Sequence, residues 1–311
     1  MNYRECANYL RQRDRFLLLT HKNPDGDTVC SASALCSALR RLGKEAYLYP
    51  NPDVIRKMLP YAEPYFAPAG CVPDCIVSVD VATENLFPRG FAGKVELCID
   101  HHPTNTHFAG QELIRAEKSS CGEIVLDLIK SLCGDVTPEE ATMLYVAVTT
   151  DTGCFQYANT SYQTLGAGAE LLRLGADGYA VTQAFFRKAS AARIMLEGMI
   201  YSGMGFYRGG KVVVATVTRA MMDAAGATED DCDDLAGLSG RVEDCDINVT
   251  IRELADGGSK ISVRSVPGVS SSEICAAFGG GGHDMAAGCT IQCPPEKAKE
   301  MLLAVIDEVY R

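Results

Sequence analysis

The sequence predicts an α/β protein, in which an N-terminal, mostly parallel, doubly wound sheet with helices on both faces is followed by a smaller C-terminal α+β domain. Short apolar runs alternate with helical stretches in the first half of the chain, an order typical of a parallel sheet. In the last third, two strand-like runs are joined by Asp256-Gly257-Gly258, a strong signal for an antiparallel hairpin. With 311 residues and 47% hydrophobic content, the chain can supply a core to each of two domains.

The first part contains four predicted strands and three predicted helices. The strands are expected at 16–19, 46–49, 75–79 and 95–99, and the helices at about 31–42, 122–131 and 138–150. Thr137 as a cap and Pro138 in the first turn mark the start of the third helix. Residues 145–149 are apolar and fit a strand equally well, so that assignment stays open.

The composition changes near residues 186–200, a helical stretch rich in Ala and Arg that we interpret as a linker. We therefore expect one domain at 1–185 and a second at 201–311. The second has predicted strands at 212–217, 247–252 and 260–264 and a final helix at 295–310. The acidic run at 229–234 is typical of a solvated helix start rather than of a metal site.

Charge and cysteine usage exclude several classes of protein. A net charge of −11 disfavours long nucleic acids, which need a continuous basic surface, but leaves small phosphorylated substrates open. No apolar run approaches the roughly 20 residues that cross a bilayer, so we expect no membrane partner. The 14 cysteines form no CxxC pair and follow no secretory signal, which predicts reduced thiols and a cytoplasmic location. The oligomeric state stays open, with a homodimer as one alternative.

Four of the five histidines lie in three short motifs, two of which also contain aspartates. The motifs are His21-Lys22-Asn23-Pro24-Asp25-Gly26-Asp27, Asp100-His101-His102-Pro103 and Gly279-Gly280-Gly281-Gly282-His283. Histidine nitrogens mixed with carboxylate oxygens suit Mn²⁺, Fe²⁺ or Zn²⁺ better than Mg²⁺ or Ca²⁺. The clustering therefore points to a metal-dependent phosphate enzyme.

His21, Asp80 and Asp100 each follow an apolar run, and ligands of open α/β sheets bind at that edge. Carboxylates that converge there repel one another unless cations lie between them. Gly26 permits a sharp turn that would point Asp25 and Asp27 at different ions. Alone, this segment would be interpreted as a surface turn, and Asp80 equally as a helix cap, but the combination predicts a pair of metals.

The glycine run predicts an anion-binding nest of backbone amides, and the Ala-Ala-Gly that follows His283 permits close backbone approach. Arg264, at the end of a predicted strand, is a natural phosphate ligand beside it, although an exposed strand-end arginine is an equal alternative.

At these residues the sequence closely resembles the DHH phosphoesterase family, and more narrowly its nano-RNase and pAp phosphatase branch. The resemblance covers essentially the whole chain. The matching motifs, in family order, are HKNPDGD at 21–27, SVD at 78–80, DHHPTN at 100–105, TTDTG at 149–153, VRS at 263–265 and GGGGHDMAAG at 279–288. The chain departs from the family at Thr28-Val29-Cys30, where small residues and a glycine are common.

The resemblance implies two metals, usually Mn²⁺, with Mg²⁺ or another divalent ion as alternatives. One would be held by His21, Asp25 and Asp80, and the second by Asp27, Asp80, His101 and Asp151. Asp100 would orient a ligand, and His102 would face the substrate, where it either stabilises the phosphoryl oxygens or assists the leaving group. The far end of the nucleotide would be held across an interdomain cleft by Arg264, Ser265, Gly280, Gly281, Gly282 and His283.

The predicted function is hydrolysis of short oligoribonucleotides and of 3′-phosphoadenosine 5′-phosphate (pAp) by two metals that activate water. The first alternative is a cyclic-dinucleotide or pGpG phosphodiesterase, and inorganic pyrophosphatase is a weaker one. A non-catalytic nucleotide-binding module is the alternative of another class, and it would carry no stoichiometric metal.

Overall fold

The computed structural model describes residues 1–88, 90–232 and 235–310, so Asp233 and Asp234 of the acidic run lie outside the described residues. The chain divides into two compact units, residues 1–188 and 189–311. This division falls three residues beyond the predicted end of the first domain, at the start of the stretch interpreted as a linker.

The first unit is built on a sheet in which every pair of neighbouring strands in the described residues is parallel. The strands lie in the order β2-β1-β3-β4-β5. Their bounds are β1 Phe16–Leu19, β2 Ala46–Leu48, β3 Cys75–Val79, β4 Leu97–Asp100 and β5 Gln111–Ile114. The predicted parallel sheet is confirmed, and β5 is an additional strand that the sequence did not reveal.

The helices of the first unit are α1 Tyr3–Arg11, α2 Gly26–Arg41, α3 Leu59–Ala62, α4 Cys121–Cys133, α5 Pro138–Asp151, α6 Tyr162–Arg173 and α7 Gly178–Thr182. Thr137 caps α5 in a reciprocal capping box with Glu140. The helix continues through residues 145–149, which settles the open choice there in favour of helix. Helix α2 begins five residues earlier than predicted, directly after Asp25.

The two faces of this sheet are covered differently. Phe16 and Leu18 of β1 belong to the main core together with Leu35 of α2, Ile124 of α4 and Leu144 of α5. Leu17 and Leu19 point to the opposite face, where they pack with loop residues such as Val81 and Val95. Within the described residues, the prediction of helices on both faces is therefore met on one face only.

The second unit contains a mixed sheet with the strand order β10-β11-β9-β8-β7-β6. The strand bounds are β6 Gly205–Tyr207, β7 Val212–Val217, β8 Ile247–Glu253, β9 Ser259–Ser265, β10 Gly281–His283 and β11 Ala286–Ile291. The helices are α8 Ala191–Ser202, α9 Arg219–Ala225, α10 Ser271–Ala276 and α11 Pro295–Val309. Strands β8 and β9 form the predicted antiparallel hairpin, whereas β7 and β8 are parallel.

This unit has two apolar clusters, one on each face of the sheet. One joins Val249 and Val263 to α10 and α11, and the other joins Ala215 and Val217 to α8 and α9. Leu196 and Ile200 of α8 are buried in the second cluster, so the predicted linker helix is part of this unit's core. Among the helices of the described residues, none has the length and apolar character that a membrane crossing requires.

Candidate metal centre

The six predicted metal ligands converge at the C-terminal edge of the parallel sheet and the adjoining helix ends. Asp80 follows β3, Asp151 is the last residue of α5, and Asp25 and Asp27 flank the start of α2. Donor atoms of His21, Asp25 and Asp80 all lie within 4.8 Å of one another, and those of Asp27, His101 and Asp151 do the same. The parallel topology brings these segments together because it places the carboxyl ends of all its strands at one edge.

Asp80 lies between the two groups and faces both. Its Oδ2 is 3.7 Å from Nε2 of His21, and its Oδ1 is 3.3 Å from Nε2 of His101. On the outer sides, Asp25 Oδ1 is 3.7 Å from His21 Nε2, and Asp151 Oδ2 is 3.6 Å from His101 Nε2. The centre thus has two lobes, one with His21 and Asp25 and the other with Asp27, His101 and Asp151. Both lobes share the carboxylate of Asp80.

Both histidines are oriented by backbone carbonyls. Nδ1 of His21 lies 2.8 Å from the carbonyl oxygen of Lys22, and Nδ1 of His101 lies 3.3 Å from that of Lys118. A carbonyl oxygen can only accept, so Nδ1 carries the proton in each ring. When the imidazoles are neutral, the lone pair on Nε2 points into the carboxylate cluster, the arrangement that metal-binding histidines adopt.

The carboxylates include buried oxygens that accept no hydrogen bond within the described residues. These are Oδ1 of Asp80 and Oδ2 of Asp151. Asp80 also adopts a left-handed backbone conformation with φ of 61°, which is strained for a residue other than glycine. A buried carboxylate oxygen without a hydrogen bond is costly, and a cation is a partner that such an oxygen fits. The helix-cap alternative for Asp80 is not supported, because its carboxylate faces the two histidines.

Crowding of negative charge perturbs the pKa values of these groups. Burial disfavours the charged form of His21, but Asp25 and Asp80 outweigh that effect and raise its pKa to about 11. Burial likewise opposes protonation of His101, but Asp80, Asp27 and Asp151 raise its pKa to about 10. Burial raises the pKa of Asp151 to about 7, with Asp80 adding to the shift. The side chains therefore retain protons where cations would otherwise balance the charge.

Asp27 is held by the start of α4, which lies one residue before the predicted helix start at 122, and the sequence analysis did not identify this contact. It accepts hydrogen bonds from the amides of Cys121 (2.7 Å) and Gly122 (2.9 Å) at the start of α4, and from the Ser31 hydroxyl (3.0 Å). These donors and the positive end of the helix dipole stabilise a carboxylate at this position. Ser120 caps this helix start by accepting a hydrogen bond from the amide of Glu123, but neither residue indicates the contact with Asp27.

The Asp25-Gly26-Asp27 segment differs from the sharp turn that we expected. Asp25 caps α2, and its Oδ1 accepts from the amides of Asp27 and Thr28. Gly26 is already helical, and a Cβ placed on it would lie 2.4 Å from Oγ1 of Thr150. Glycine is needed here because α2 and α5 pack closely, rather than for turn conformation.

His102 is oriented differently from its neighbour. Its Nδ1 lies 2.8 Å from Oδ1 of Asp100, and the other oxygen of Asp100 accepts from Asn105 at 2.6 Å. Asp100 is fully buried, whereas the His102 side chain is one-third exposed. Asp100 thus orients the His102 ring through Nδ1, and Asn105 holds Asp100 in place, so Nε2 of His102 is not used in this contact.

In the second unit, Arg264 and His283 lie on one face of the sheet. The strand register pairs His283 with Ala286 and Ala286 with Arg264, and register partners point to the same side. Both side chains are exposed. The next residue in this row is Asn248 on β8, whose buried Oδ1 accepts no hydrogen bond within the described residues.

The glycine run departs from the predicted nest of inward-turned amides. The amides of Gly279 and Gly280 donate to carbonyl oxygens of Ala276 and Cys275 at the end of α10. Gly281 and Gly282 continue into β10, and a Cβ on Gly280 or Gly282 would lie within 2.5 Å of the carbonyl oxygen of Gly288 or Ala286. These two glycines therefore permit close packing of β10 on β11.

Ser265 is also engaged within its own unit. Its hydroxyl contacts the carbonyl oxygen of Val269 at 2.6 Å and Oγ of Ser271 at 2.8 Å. A role in substrate binding would require these hydrogen bonds to be exchanged.

Two family models match the chain: the DHH family N-terminal domain over residues 15–148 and the DHHA1 domain over residues 209–311. The chain belongs to the DHH family of phosphoesterases, as the sequence motifs predicted.

Among curated relatives, it is similar to the bifunctional oligoribonuclease and PAP phosphatase NrnA of Thermus thermophilus, with 36% identity over 94% of this chain and 89% of that protein. The NrnA protein of Mycoplasma genitalium is 26% identical, with 92% of each chain covered. The fold also matches the crystal structure of an exopolyphosphatase-related protein from Bacteroides fragilis, with a TM-score of 0.88 and 22% identity over 98% of this chain and 96% of that one.

Proposed function

We propose that this protein is a metal-dependent phosphoesterase that hydrolyses short oligoribonucleotides and converts pAp to AMP. The observation that carries the proposal is the two-lobed cluster of histidines and aspartates centred on Asp80, with Nε2 of His21 and of His101 facing its two oxygens. The NrnA relatives, which align along nearly the whole chain, supply the substrate class.

The residues present fit two divalent cations. His21, Asp25 and Asp80 would hold one, and Asp27, Asp80, His101 and Asp151 the other. We propose Mn²⁺ as the usual occupant because the donors are mixed nitrogen and oxygen, with Mg²⁺ as the alternative. When bound, such a pair neutralises charge on the substrate phosphate and lowers the pKa of water.

The remaining residues act on the substrate directly or through a neighbour. His102 would present Nε2 to the phosphate, either donating a hydrogen bond to a phosphoryl oxygen or passing a proton to the departing alcohol. Asp100 would orient His102 and favour its protonated form, since the two side chains are 2.8 Å apart. Arg264 and His283 would bind the phosphate or base at the far end of the nucleotide.

The test is hydrolysis of pAp, a 5′-phosphorylated dinucleotide of RNA, pGpG and pyrophosphate, measured side by side with added Mn²⁺. We expect wild type to cut pAp and the RNA dinucleotide, and Asp80→Asn to lose at least about 100-fold in kcat/KM, since it removes the shared ligand. Asp53→Asn is the matched control, because Asp53 is an exposed aspartate of the same unit.

Cleavage of pGpG or pyrophosphate alone would overturn the substrate assignment while leaving a phosphoesterase. If wild type cuts none of the four substrates and holds no metal after dialysis against Mn²⁺, a non-catalytic binding module is favoured. Equal activity of Asp80→Asn and wild type would contradict the assignment of the metal centre itself.

A further inference from the structure

A cysteine lies against the second lobe of the metal centre, the lobe with Asp27, His101, Asp151 and the shared Asp80. Sγ of Cys121, one carboxylate oxygen of Asp27 and one of Asp80 all lie within 4.8 Å of one another. Cys121 and Asp27 are 0% exposed, and Asp80 is 3% exposed. The thiol belongs to none of the three histidine motifs, yet it lies as near to Asp27 and Asp80 as proposed ligands lie to one another.

Hydrogen bonds hold the Cys121 sulfur beside both carboxylates. The amide of Cys121 donates to Oδ2 of Asp27 at 2.7 Å. The thiol donates to the carbonyl oxygen of Ile99 at 3.5 Å, and the amide of Asp80 donates to the same carbonyl oxygen at 2.9 Å. One backbone carbonyl therefore receives both the thiol and the residue that carries the shared carboxylate.

An independent observation places a cation next to this sulfur. Oδ1 of Asp80 is buried and accepts no hydrogen bond within the described residues, although a thiol donor lies nearby. The Cys121 proton goes to Ile99 instead. Because a buried carboxylate oxygen without a hydrogen bond fits a cation, an ion held by Asp27 and Asp80 would have a sulfur atom among its neighbours.

We infer that Cys121 is a sulfur ligand of the second lobe and makes this lobe selective for Zn²⁺ over Mn²⁺. Soft thiolate ligands favour Zn²⁺, whereas carboxylate oxygens suit Mn²⁺. On binding, the S–H bond breaks, the sulfur bonds to the ion, and the proton is released to the solvent. Mn²⁺ would still fill both lobes where no thiophilic ion competes. This inference rests on the metal centre of the proposed function and adds a residue that decides which ion is bound.

The experiment compares Cys121→Ser with wild type in the binding of Zn²⁺ and Mn²⁺, measured by calorimetry on protein freed of metal with a chelator. Serine keeps the shape of the side chain and replaces the sulfur with a hydroxyl. We expect the Zn²⁺ affinity of the second lobe to fall at least about 10-fold, the effect that even an outer partner of a metal ligand has. The Mn²⁺ affinity should change less than about 3-fold, since Mn²⁺ gains little from sulfur.

Ultraviolet absorption with Cd²⁺, a thiophilic substitute for Zn²⁺, reports the bond to sulfur directly. A sulfur-to-cadmium charge-transfer band should appear in wild type and be absent from Cys121→Ser. The chain contains no tryptophan, so the protein's own absorption interferes little. Cys121→Ala is a second variant that should also lack the band, in case a buried hydroxyl is not tolerated.

Two other cysteines provide matched controls. Cys36 of α2 is as fully buried as Cys121, and Cys154 is a partly exposed cysteine three residues after Asp151. Cys36→Ser and Cys154→Ser should both keep the band and the wild-type preference for Zn²⁺. A band that disappears in Cys154→Ser but persists in Cys121→Ser would show that Cd²⁺ binds at another thiol and would overturn the inference.

The outcomes separate this inference from the proposed function. If wild type hydrolyses pAp but Cys121→Ser shows the same band and the same preference for Zn²⁺, the sulfur ligand is wrong and the function stands. If wild type cuts no nucleotide yet shows a band that Cys121→Ser lacks, the proposed function fails and the sulfur ligand stands. A wild-type protein that binds none of these ions would refute both.

Discussion

At the scale of single residues, the adjacent histidines His101 and His102 have different environments. His101 is oriented by a backbone carbonyl and points Nε2 at Asp27, Asp80 and Asp151. His102 is oriented by the carboxylate of Asp100. Nδ1 of His102 is also 3.6 Å from Oδ1 of Asp80, but its shorter contact is with Asp100, so we expect the two histidines to serve separate roles.

This difference predicts that His101→Ala and His102→Ala fail in different ways. His101→Ala should lose bound metal and activity together. His102→Ala should keep its metal and lose about 10²–10³-fold in kcat, the usual contribution of a residue that transfers a proton or stabilises charge. Metal analysis after gel filtration and steady-state kinetics on pAp check both outcomes, and metal loss in both variants would contradict the separation of roles.

The perturbed pKa values predict how the metal-free protein responds to pH. The folded-state pKa values of His21 and His101 are raised to about 11 and about 10, so their stabilising effect is full below about 6.5 and is lost as pH rises toward those values. The pKa of Asp151 is also raised in the folded state, to about 7. The stability that this shift contributes is likewise lost as pH rises, between about pH 4 and 7. The chelated protein should therefore lose stability as pH rises from 6 to 8, on the order of 1–3 kcal/mol.

Urea unfolding with EDTA at pH 6 and pH 8 measures this loss. Saturating Mn²⁺ should reverse the trend, because cations compete with the retained protons and bind better at the higher pH. His21→Asn is the control, since it removes one of the groups with a raised pKa. In this variant, the free energy of unfolding with EDTA should differ less between pH 6 and pH 8. A stability that is equal at both pH values, with and without Mn²⁺, would rule out this account.

At the scale of elements, the close packing of α2 on α5 positions the proposed metal ligands at the start of α2 and the end of α5. A Cβ on Gly26 would collide with Oγ1, Cγ2 and Cβ of Thr150 at 2.4–2.9 Å. Asp25 and Asp27 flank this contact on one helix, and Asp151 follows it on the other. A shift of α2 away from α5 would therefore separate the two sets of ligands.

We predict that Gly26→Ala destabilises the protein by about 1–3 kcal/mol, the usual cost of overpacking, and also weakens metal binding. Gly166→Ala on α6 is the matched control, because no atom lies within 4 Å of its added Cβ. That variant should be unchanged or more stable by about 0.5–1 kcal/mol. Thr150→Ala should partly rescue Gly26→Ala in urea unfolding, and a Gly26→Ala protein as stable as wild type would contradict the packing argument.

The elements also show which features a sequence pattern can predict. Strands β1 and β3 were predicted because each is an apolar run with clear boundaries. The start of α5 was predicted from Thr137 and Pro138, but its apolar residues 145–149 fitted a strand equally well. The start of α2 was missed because Asp25 and Gly26 look like a turn, and only the contact with Thr150 explains a helical glycine there. Strand β10 was missed because Gly281 and Gly282 carry no side chain, so no apolar alternation marks it.

The candidate site was predictable to a similar extent. Motif chemistry pointed to His21 and Asp80, whose side chains carry the signal themselves, whereas Asp151 was named only by the resemblance to the family. The residues that orient the histidines act through backbone atoms, as the carbonyl oxygens of Lys22 and Lys118 do. A residue of any type could make these contacts, so the sequence does not indicate them.

At the scale of the whole molecule, the position of α8 decides where one unit ends and the next begins. The sequence around 186–200 indicated a linker, because this helical stretch is rich in Ala and Arg and the pattern changes beyond it. In the structure, Leu196 and Ile200 of α8 are at most 1% exposed and pack with Met222 of α9. Removing buried side chains of this size costs about 2–5 kcal/mol each, a large share of the 5–15 kcal/mol that stabilises a typical domain.

We therefore predict that residues 189–311 fold when expressed alone and that residues 204–311, which lack α8, do not. Urea unfolding followed by circular dichroism should give a cooperative transition for the longer fragment and a gradual change for the shorter one. A version of the longer fragment with Ile194→Ala is the control, since Ile194 is on the same helix but 61% exposed and should leave the transition unchanged. If both fragments unfold with the same midpoint, α8 is a linker as the sequence indicated, and the second unit begins after residue 203.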